Sequence, residues 1–211
     1  MDGIYWVMDT EGNGANPNEP IELGMVQMDG YEITGKAHVW RFKPFAPVTY
    51  YANRVHNISN DDLAKCPSFE DTASEILEIL GTHPVIGHSV AVEINMLQPR
   101  LNEWKPNAAY DTLKIAKRLL PDQRQHKLQI LADQFDLSSE ARKMTGMKPH
   151  SGLYDSVVTA LLLKRLQSDH QDRFDALFKS SDILPGRRSR QERDERRARN
   201  KQLRDQARGT R

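Results

Sequence analysis

The chain has only one cysteine, Cys66, and no long apolar run among its 211 residues. A lone thiol excludes an internal disulfide, and Cys66 lies beside Pro67 with no base nearby in sequence, so we interpret it as a bystander rather than a nucleophile. No stretch approaches the roughly 20 apolar residues that a membrane-spanning helix needs. The N-terminus also lacks a signal-like basic and hydrophobic region, so we expect a cytoplasmic protein.

The net charge is only +1, but it is unevenly distributed. Residues 187–211 contain 11 Lys or Arg and 4 Asp or Glu, a net of +7, which leaves 19 basic and 25 acidic residues, a net of −6, in the rest of the chain. Because Leu203 is the only large apolar residue of this basic arm, we expect disorder or a solvated helix. The arm has two possible partners, nucleic-acid phosphates or an acidic protein.

Hydrophobic patterning predicts an α/β fold. Strands are predicted over residues 4–8, 21–28, 36–42, 84–88 and 108–110, and helices over 69–80, 94–104 (with a kink or break at Pro99), 112–120, 127–135, 155–167 and 174–178. Residues 44–60 are predicted to be a long connection. Three meandering strands followed by alternating helices and strands indicate a mixed five-stranded sheet with helices on its faces. We divide the chain into a domain over 1–168, a short helix and linker over 169–186, and the arm.

Acidic residues occur where three of these core elements begin or end. Asp9 and Glu11 follow the first strand, and Glu93 lies just inside the helical pattern after the strand that ends at His88. His150 and Asp155 lead into the apolar helix over 155–167. Paired carboxylates at the end of a buried strand suit a divalent cation, and open α/β sheets place ligands at such edges.

These motifs, in this order, resemble the DnaQ-like 3′-to-5′ exonucleases, in the DEDDh subclass whose third motif has a histidine five residues before its aspartate. Asp9-Thr10-Glu11 is similar to the first motif, His88 to Glu93 to the second and His150 to Asp155 to the third. Between them, residues 55–59 resemble the family's His-Gly-Ile-Thr segment, and residues 111–113 resemble its strand-to-helix step. Within the family the spacing is most similar to exonuclease X and to polymerase proofreading epsilon subunits. The resemblance implies a ribonuclease H-like fold.

The resemblance also implies roles for individual residues. Asp9, Glu11, Glu93 and Asp155 would hold two Mg²⁺ or Mn²⁺ ions, and His150 would be the general base, since an imidazole titrates at about pH 6.5. We assign Glu11 to the catalytic set as well. Thr10 and His88 are candidate contacts to the substrate, although His88 and His56 also match structural histidines that flank the motifs, and for both the structural role is favoured.

The second motif departs from the family pattern. Ser89, Val92 and Glu93 stand where the family has Asn, an aromatic residue and Asp. Because Mg²⁺ tolerates little displacement of its ligands, the longer Glu93 leaves two interpretations open. The protein is either an exonuclease acting on single-stranded or frayed 3′ ends, with DNA favoured over RNA, or a catalytically weakened module that binds nucleic acid or a polymerase.

Overall fold

The computed structural model describes residues 1–184, so the basic arm lies outside the described residues. The elements in chain order are β1 (Ile4–Gly12), β2 (Pro20–Asp29), β3 (Glu32–Arg41), α1 (Tyr50–His56), α2 (Asn60–Leu63), α3 (Phe69–Leu80), β4 (Val85–Gly87), α4 (Ala91–Leu97), β5 (Ala109–Asp111), α5 (Thr112–Leu119), α6 (Leu128–Gln134), α7 (Ser138–Thr145), α8 (Gly152–Asp169) and α9 (Gln171–Ser180). Within the described residues, no helix is long and apolar enough to cross a membrane.

The five strands form one mixed sheet, as the sequence predicted, and their order in it is β3-β2-β1-β4-β5. The pairs β1–β2 and β2–β3 are antiparallel, whereas β1–β4 and β4–β5 are parallel. A two-residue turn joins β2 to β3 after Asp29, and Gly30 supplies its positive φ of 57°. The fold is ribonuclease H-like.

Both faces of the sheet are covered, because successive side chains of a strand point to opposite faces. Tyr5 and Val7 of β1 pack in a core with α5, α6 and α8, whereas Trp6 and Met8 pack in a second core with α3 and α4. Alternation therefore places Asp9 and Glu11 on the same face of β1 as Val7, towards α8. This helix is buried over most of its length and contacts both β1 and β2.

Local signals explain several helix boundaries. Helix α3 begins where Ser68 and Asp71 form a reciprocal capping box. The helix predicted over 94–104 begins at Ala91 and ends at Leu97, so the predicted break at Pro99 is confirmed, since Pro99 cannot continue the hydrogen-bond ladder. The predicted connection over 44–60 contains α1, which Thr49 caps by accepting a hydrogen bond from the amide of Ala52.

Candidate active site

Three separate elements bring four carboxylates together at the end of β1 that points towards the start of α8. Asp9 and Glu11 belong to β1, Glu93 to the first turn of α4 and Asp155 to the first turn of α8. Asp9 is surrounded by the charges of Glu93, Asp155 and Glu11. The structure therefore places Glu93, Asp155 and Glu11 within electrostatic reach of Asp9, and the roles of these four residues as metal ligands stay predictions.

The tightest described part of this cluster contains Glu11, His150 and Asp155. One ligand atom of each lies within 4.8 Å of one ligand atom of the others, a spacing that a single metal ion could span. The His150 Nδ1 atom lies 4.0 Å from Asp155 Oδ2. Oxygen-rich donor sets of this kind suit Mg²⁺ or Mn²⁺.

Burial and mutual repulsion alter the protonation of these carboxyls. Burial, followed by the charges of Glu93 and the other neighbouring carboxylates, raises the pKa of Asp9 well above its ordinary value. Burial also raises the pKa of Glu11 to about 8, with Asp155 as the next cause, and that of Glu93 to about 8. Among residues 1–184, no Lys or Arg forms an ion pair with any of the four. Within the described part of the chain, therefore, no lysine or arginine neutralises the cluster.

Asp155 is held by the backbone of the residue that also supplies the imidazole. The amide of His150 donates to Asp155 Oδ2 at 3.2 Å, and His150 adopts a left-handed conformation with φ 62°. Burial raises the pKa of Asp155 to about 6, against the lowering effect of this hydrogen bond and of the His150 charge. The His150 side chain is half exposed, so solvent can reach its ring.

The longer side chain at the second motif reaches the cluster. Glu93 is 3% exposed, and its Oε2 atom is buried without a hydrogen-bond partner. A buried carboxylate oxygen normally has a partner, because leaving it unpaired is costly. This unpaired oxygen, on a side chain whose charge acts on Asp9, is the feature expected of an oxygen that a cation would contact.

The histidines that flank the motifs have internal partners. His88 Nε2 donates to the carbonyl of His126 at 2.7 Å, and its Nδ1 lies 2.9 Å from Thr112 Oγ1. His56 accepts from the amide of Ile58 at Nδ1 and donates from Nε2 to the carbonyl of Gly12. Burial lowers the pKa of both rings, which favours the neutral form. These contacts agree with structural roles, and a contact of His88 with substrate stays a prediction.

Thr10 lies between the two carboxylates of the first motif but on the opposite face of β1. It is 9% exposed, and its Oγ1 atom has no hydrogen-bond partner. Its proposed contact with substrate also stays a prediction.

Sequence reasoning missed a fifth acidic residue, Glu22, which is fully buried in β2 directly opposite Glu11. Its Oε2 accepts a hydrogen bond from Arg41 Nε at 2.7 Å, and its Oε1 accepts one from the amide of Gly152 at 2.8 Å. Glu22 is one of the charges that raise the pKa of Glu11 and Asp155. A single acidic residue inside an apolar strand does not by itself indicate that it lies at the site.

Comparison with known proteins agrees with this geometry. A family model described as "Exonuclease" matches residues 6–163, which contain all four clustered carboxylates and His150. This chain belongs to the exonuclease family. The exonuclease is DnaQ-like and of the 3′-to-5′ class, as the three motifs predicted.

Curated relatives of the exonuclease include subunits of bacterial DNA polymerase III. It is 25% identical over 185 residues to the "DNA polymerase III subunit epsilon" of Rickettsia felis, covering 82% of this chain and 78% of the relative. It is also 25% identical over 166 residues to the subunit of the same name from Aquifex aeolicus, covering 76% of this chain and 78% of the relative.

Solved structures support the fold. Exonuclease X, in a complex with duplex DNA that has a 5′ overhang, superposes with a TM-score of 0.69 at 21% identity, covering 84% of this chain and 99% of that one. Exonuclease I of E. coli, in complex with an oligonucleotide, superposes with a TM-score of 0.68 at 16% identity, covering 84% of this chain and 43% of the other.

Proposed function

We propose that this exonuclease removes nucleoside 5′-monophosphates from the 3′ end of a DNA strand, with divalent cations held by Asp9, Glu11, Glu93 and Asp155. The observation that carries the proposal is the convergence of four buried or partly buried carboxylates beside an imidazole, with no Lys or Arg of residues 1–184 ion-paired to them. Like charges brought together in this way are stabilised by a bound metal ion.

The residues fit divalent cations on chemical grounds. The donors are hard carboxylate oxygens with one imidazole, and one carboxylate oxygen of Glu93 is buried and unpaired. Burial and neighbouring carboxylates raise the pKa values of Glu11 and Glu93, and a bound cation would oppose both effects. A pair of bound cations would neutralise charge on the phosphate and orient the attacking and leaving oxygens. The number of ions, two, is part of the proposal.

In the proposed reaction, a water oxygen attacks the phosphorus of the terminal nucleotide. His150 accepts the proton of that water at Nε2, because its Nδ1 faces Asp155. The bond between phosphorus and the 3′ oxygen of the preceding nucleotide then breaks, and that oxygen takes a proton from solvent. The products are a nucleoside 5′-monophosphate and a strand shortened by one nucleotide.

Exposed aromatic rings lie on the helix next to the cluster. Tyr50 is 70% and Tyr51 82% exposed on α1, whose last residue, His56, bonds to the carbonyl of Gly12 beside Glu11. The exposed Arg54 lies on the same helix. Aromatic rings interleaved with a cation suit unpaired nucleobases and their phosphates.

We therefore expect Tyr51→Ala to weaken binding of single-stranded oligonucleotides about 10-fold, measured by fluorescence anisotropy with chelator present. An unchanged affinity would show that the strand does not bind along α1.

DNA is favoured because relatives carry the name of a DNA polymerase subunit and a structural neighbour was solved with duplex DNA. RNA trimming is the alternative, since discrimination depends on contacts to the 2′-hydroxyl. A polymerase partner and a phosphate-binding role for residues 187–211 stay predictions, as does the cytoplasmic location.

The test is digestion of end-labelled DNA and RNA strands of equal sequence with Mg²⁺, with Mn²⁺ and with chelator. We expect release of mononucleotides from the 3′ end, faster on DNA, and at least 1000-fold slower release by Asp9→Asn. The matched control is Asp2→Asn, which removes the same charge from an exposed position. Undiminished digestion by Asp9→Asn, or release from the 5′ end, would refute the proposal.

A further inference from the structure

A row of three charged side chains crosses the sheet at the active site. Glu11 lies opposite Glu22 in the β1–β2 pair, and Glu22 lies opposite Arg41 in the β2–β3 pair. Opposed residues of adjacent strands project from the same face, which here is the face covered by α8. The middle member of the row is fully buried, whereas Arg41 is partly exposed, with 45% of its side chain accessible.

Glu22 joins β2 to the third motif. Its Oε1 accepts the amide hydrogen of Gly152, the first residue of α8, which stands two residues after His150 and three before Asp155. The first amides of a helix have no partner inside the helix, so this bond satisfies one of them in a buried position. Its other oxygen is held by Arg41, which fixes the orientation of the carboxylate.

The first turn of α8 also packs closely against β2, so a small displacement of this turn would change the site. Ser156 Oγ lies 2.9 Å from the carbonyl oxygen of Gly24 and 2.7 Å from that of Gly152. A Cβ atom on Gly152 would lie 2.7 Å from the amide nitrogen of Gly24. A shift of the helix start would therefore move Asp155 and His150 together relative to Asp9. Catalytic groups displaced by about 1 Å lose roughly 100-fold in rate.

We propose that Glu22 is a positioning residue, oriented by Arg41, that holds the start of α8 so that Asp155 and His150 face the carboxylates of β1. Its effect on turnover rests on the function proposed above, but its effect on the order of the third motif does not. A buried charge is expensive, and an apolar side chain would serve packing alone at lower cost, so the retained carboxylate has a role beyond filling space.

The experiment compares Glu22→Gln, which keeps an oxygen acceptor of the same length, with Glu22→Met, which has a similar shape and no oxygen. The matched control is Glu32→Gln, because Glu32 ion-pairs with Lys164 at the other end of α8, on the surface. Hydrogen–deuterium exchange of the metal-free proteins over residues 147–158 and the steady-state kcat and KM for a single-stranded DNA oligonucleotide are measured.

Glu22→Met is expected to raise the exchange of these amides at least 10-fold and to lower kcat at least 100-fold, with KM changed less than 3-fold. Glu22→Gln should stay within 10-fold of the wild type in kcat and keep its exchange protection, and Glu32→Gln should match the wild type. If Glu22→Met does not fold, Glu22→Asp, whose carboxylate is withdrawn by one methylene, should show the same losses.

The inference would be overturned if Glu22→Met kept both the exchange protection of residues 147–158 and its kcat. It would also be overturned if Glu22→Gln and Glu22→Met lost kcat and exchange protection equally. If the wild type digests no nucleic acid, the proposed function fails, and the exchange measurement alone still decides whether Glu22 orders the third motif.

Discussion

Gly24 of β2 and Gly152 of α8 lie backbone against backbone, so closely that a Cβ atom on Gly24 would overlap the carbonyl carbon of Gly152 and the amide nitrogen of Leu153. This contact brings the helix that contains Asp155 directly onto the strand beside Asp9, since Asp9 and Gly24 are paired in the sheet. The active site therefore depends on two residues that have no side chain.

Gly24→Ala is expected to remove nuclease activity and to destabilise the fold by about 3 kcal/mol or more, because rigid backbone atoms cannot yield to the new methyl group. Gly87→Ala is a milder comparison, since its Cβ would lie 3.1 Å from atoms of Val90. We expect it to lower the free energy of unfolding less than Gly24→Ala does. Urea unfolding and a nuclease assay on both variants check this order. A Gly24→Ala protein as stable as the wild type would contradict it.

The stability of the metal-free protein should fall as the pH rises from about 5 to about 8. Glu93 has an ordinary pKa of 4.5 and a folded pKa of about 8, so the folded state holds its proton more tightly than the unfolded state. Its stabilising contribution is complete below the unfolded pKa and is lost as the pH approaches the folded value. At about 1.4 kcal/mol per pKa unit, the change amounts to several kcal/mol.

Urea unfolding in chelator, comparing the wild type with Glu93→Gln between pH 5 and 8.5, isolates this effect. The pKa values of His56 and His88 are lowered, so these rings oppose the trend up to their ordinary pKa, but they are present in both proteins and cancel in the difference. The advantage of Glu93→Gln should grow with pH and should shrink when Mg²⁺ is added. Parallel curves in chelator would disprove the assignment of the pH dependence to Glu93.

Shortening Glu93 should lower activity. The Glu93 carboxylate already acts electrostatically on Asp9, and Glu93→Asp would withdraw it by about 1.5 Å, one carbon–carbon bond. We expect kcat to fall at least 10-fold, because Mg²⁺ tolerates little displacement of its ligands. Glu93→Gln, which keeps the length and removes the charge, should fall further. A large rise in turnover in Glu93→Asp would instead favour the weakened binding module.

Substitution of His150 should affect kcat, whereas substitution of His88 should affect Tm. His150→Gln is expected to lower kcat roughly 100-fold or more, since general bases contribute about that factor, with little change in Tm. His88→Ala should lower Tm by an effect of about 1–3 kcal/mol, because it removes the partner of the His126 carbonyl and one of the two partners of the Thr112 hydroxyl. Thermal unfolding and steady-state kinetics on both variants, with His83→Gln as an exposed control, measure the difference. Equal effects of His150→Gln and His88→Ala on Tm would contradict this separation.

The sequence predicted those parts of the site that local strings encode. Asp9 and Glu11 were found because a short apolar strand precedes them, and Asp155 because a long apolar helix follows it. The mixed five-stranded sheet followed from the meander and the alternating helices and strands.

Other parts depend on contacts distant in sequence and were missed. Glu22 is buried only because α8 covers it and Arg41 pairs with it, 130 and 19 residues away. Helix α1 was assigned to a connection, because the outward Tyr50 and Tyr51 disturb the apolar pattern. Helix α7 gave little signal, since Ala141 is its single buried residue.

Residues 178–183, near the end of the described chain, cover the edge strand β5 of the sheet. Asp182 accepts from the amide of Ala109, Ile183 donates to the carbonyl of Ala109, and Phe178 stacks on Tyr110 with ring centroids 4.1 Å apart. Versions of the protein shortened before residue 184 would uncover the backbone of β5 and invite self-association through it. A minimal nuclease fragment should therefore retain residues 181–184, even though they lie far along the chain from every catalytic motif.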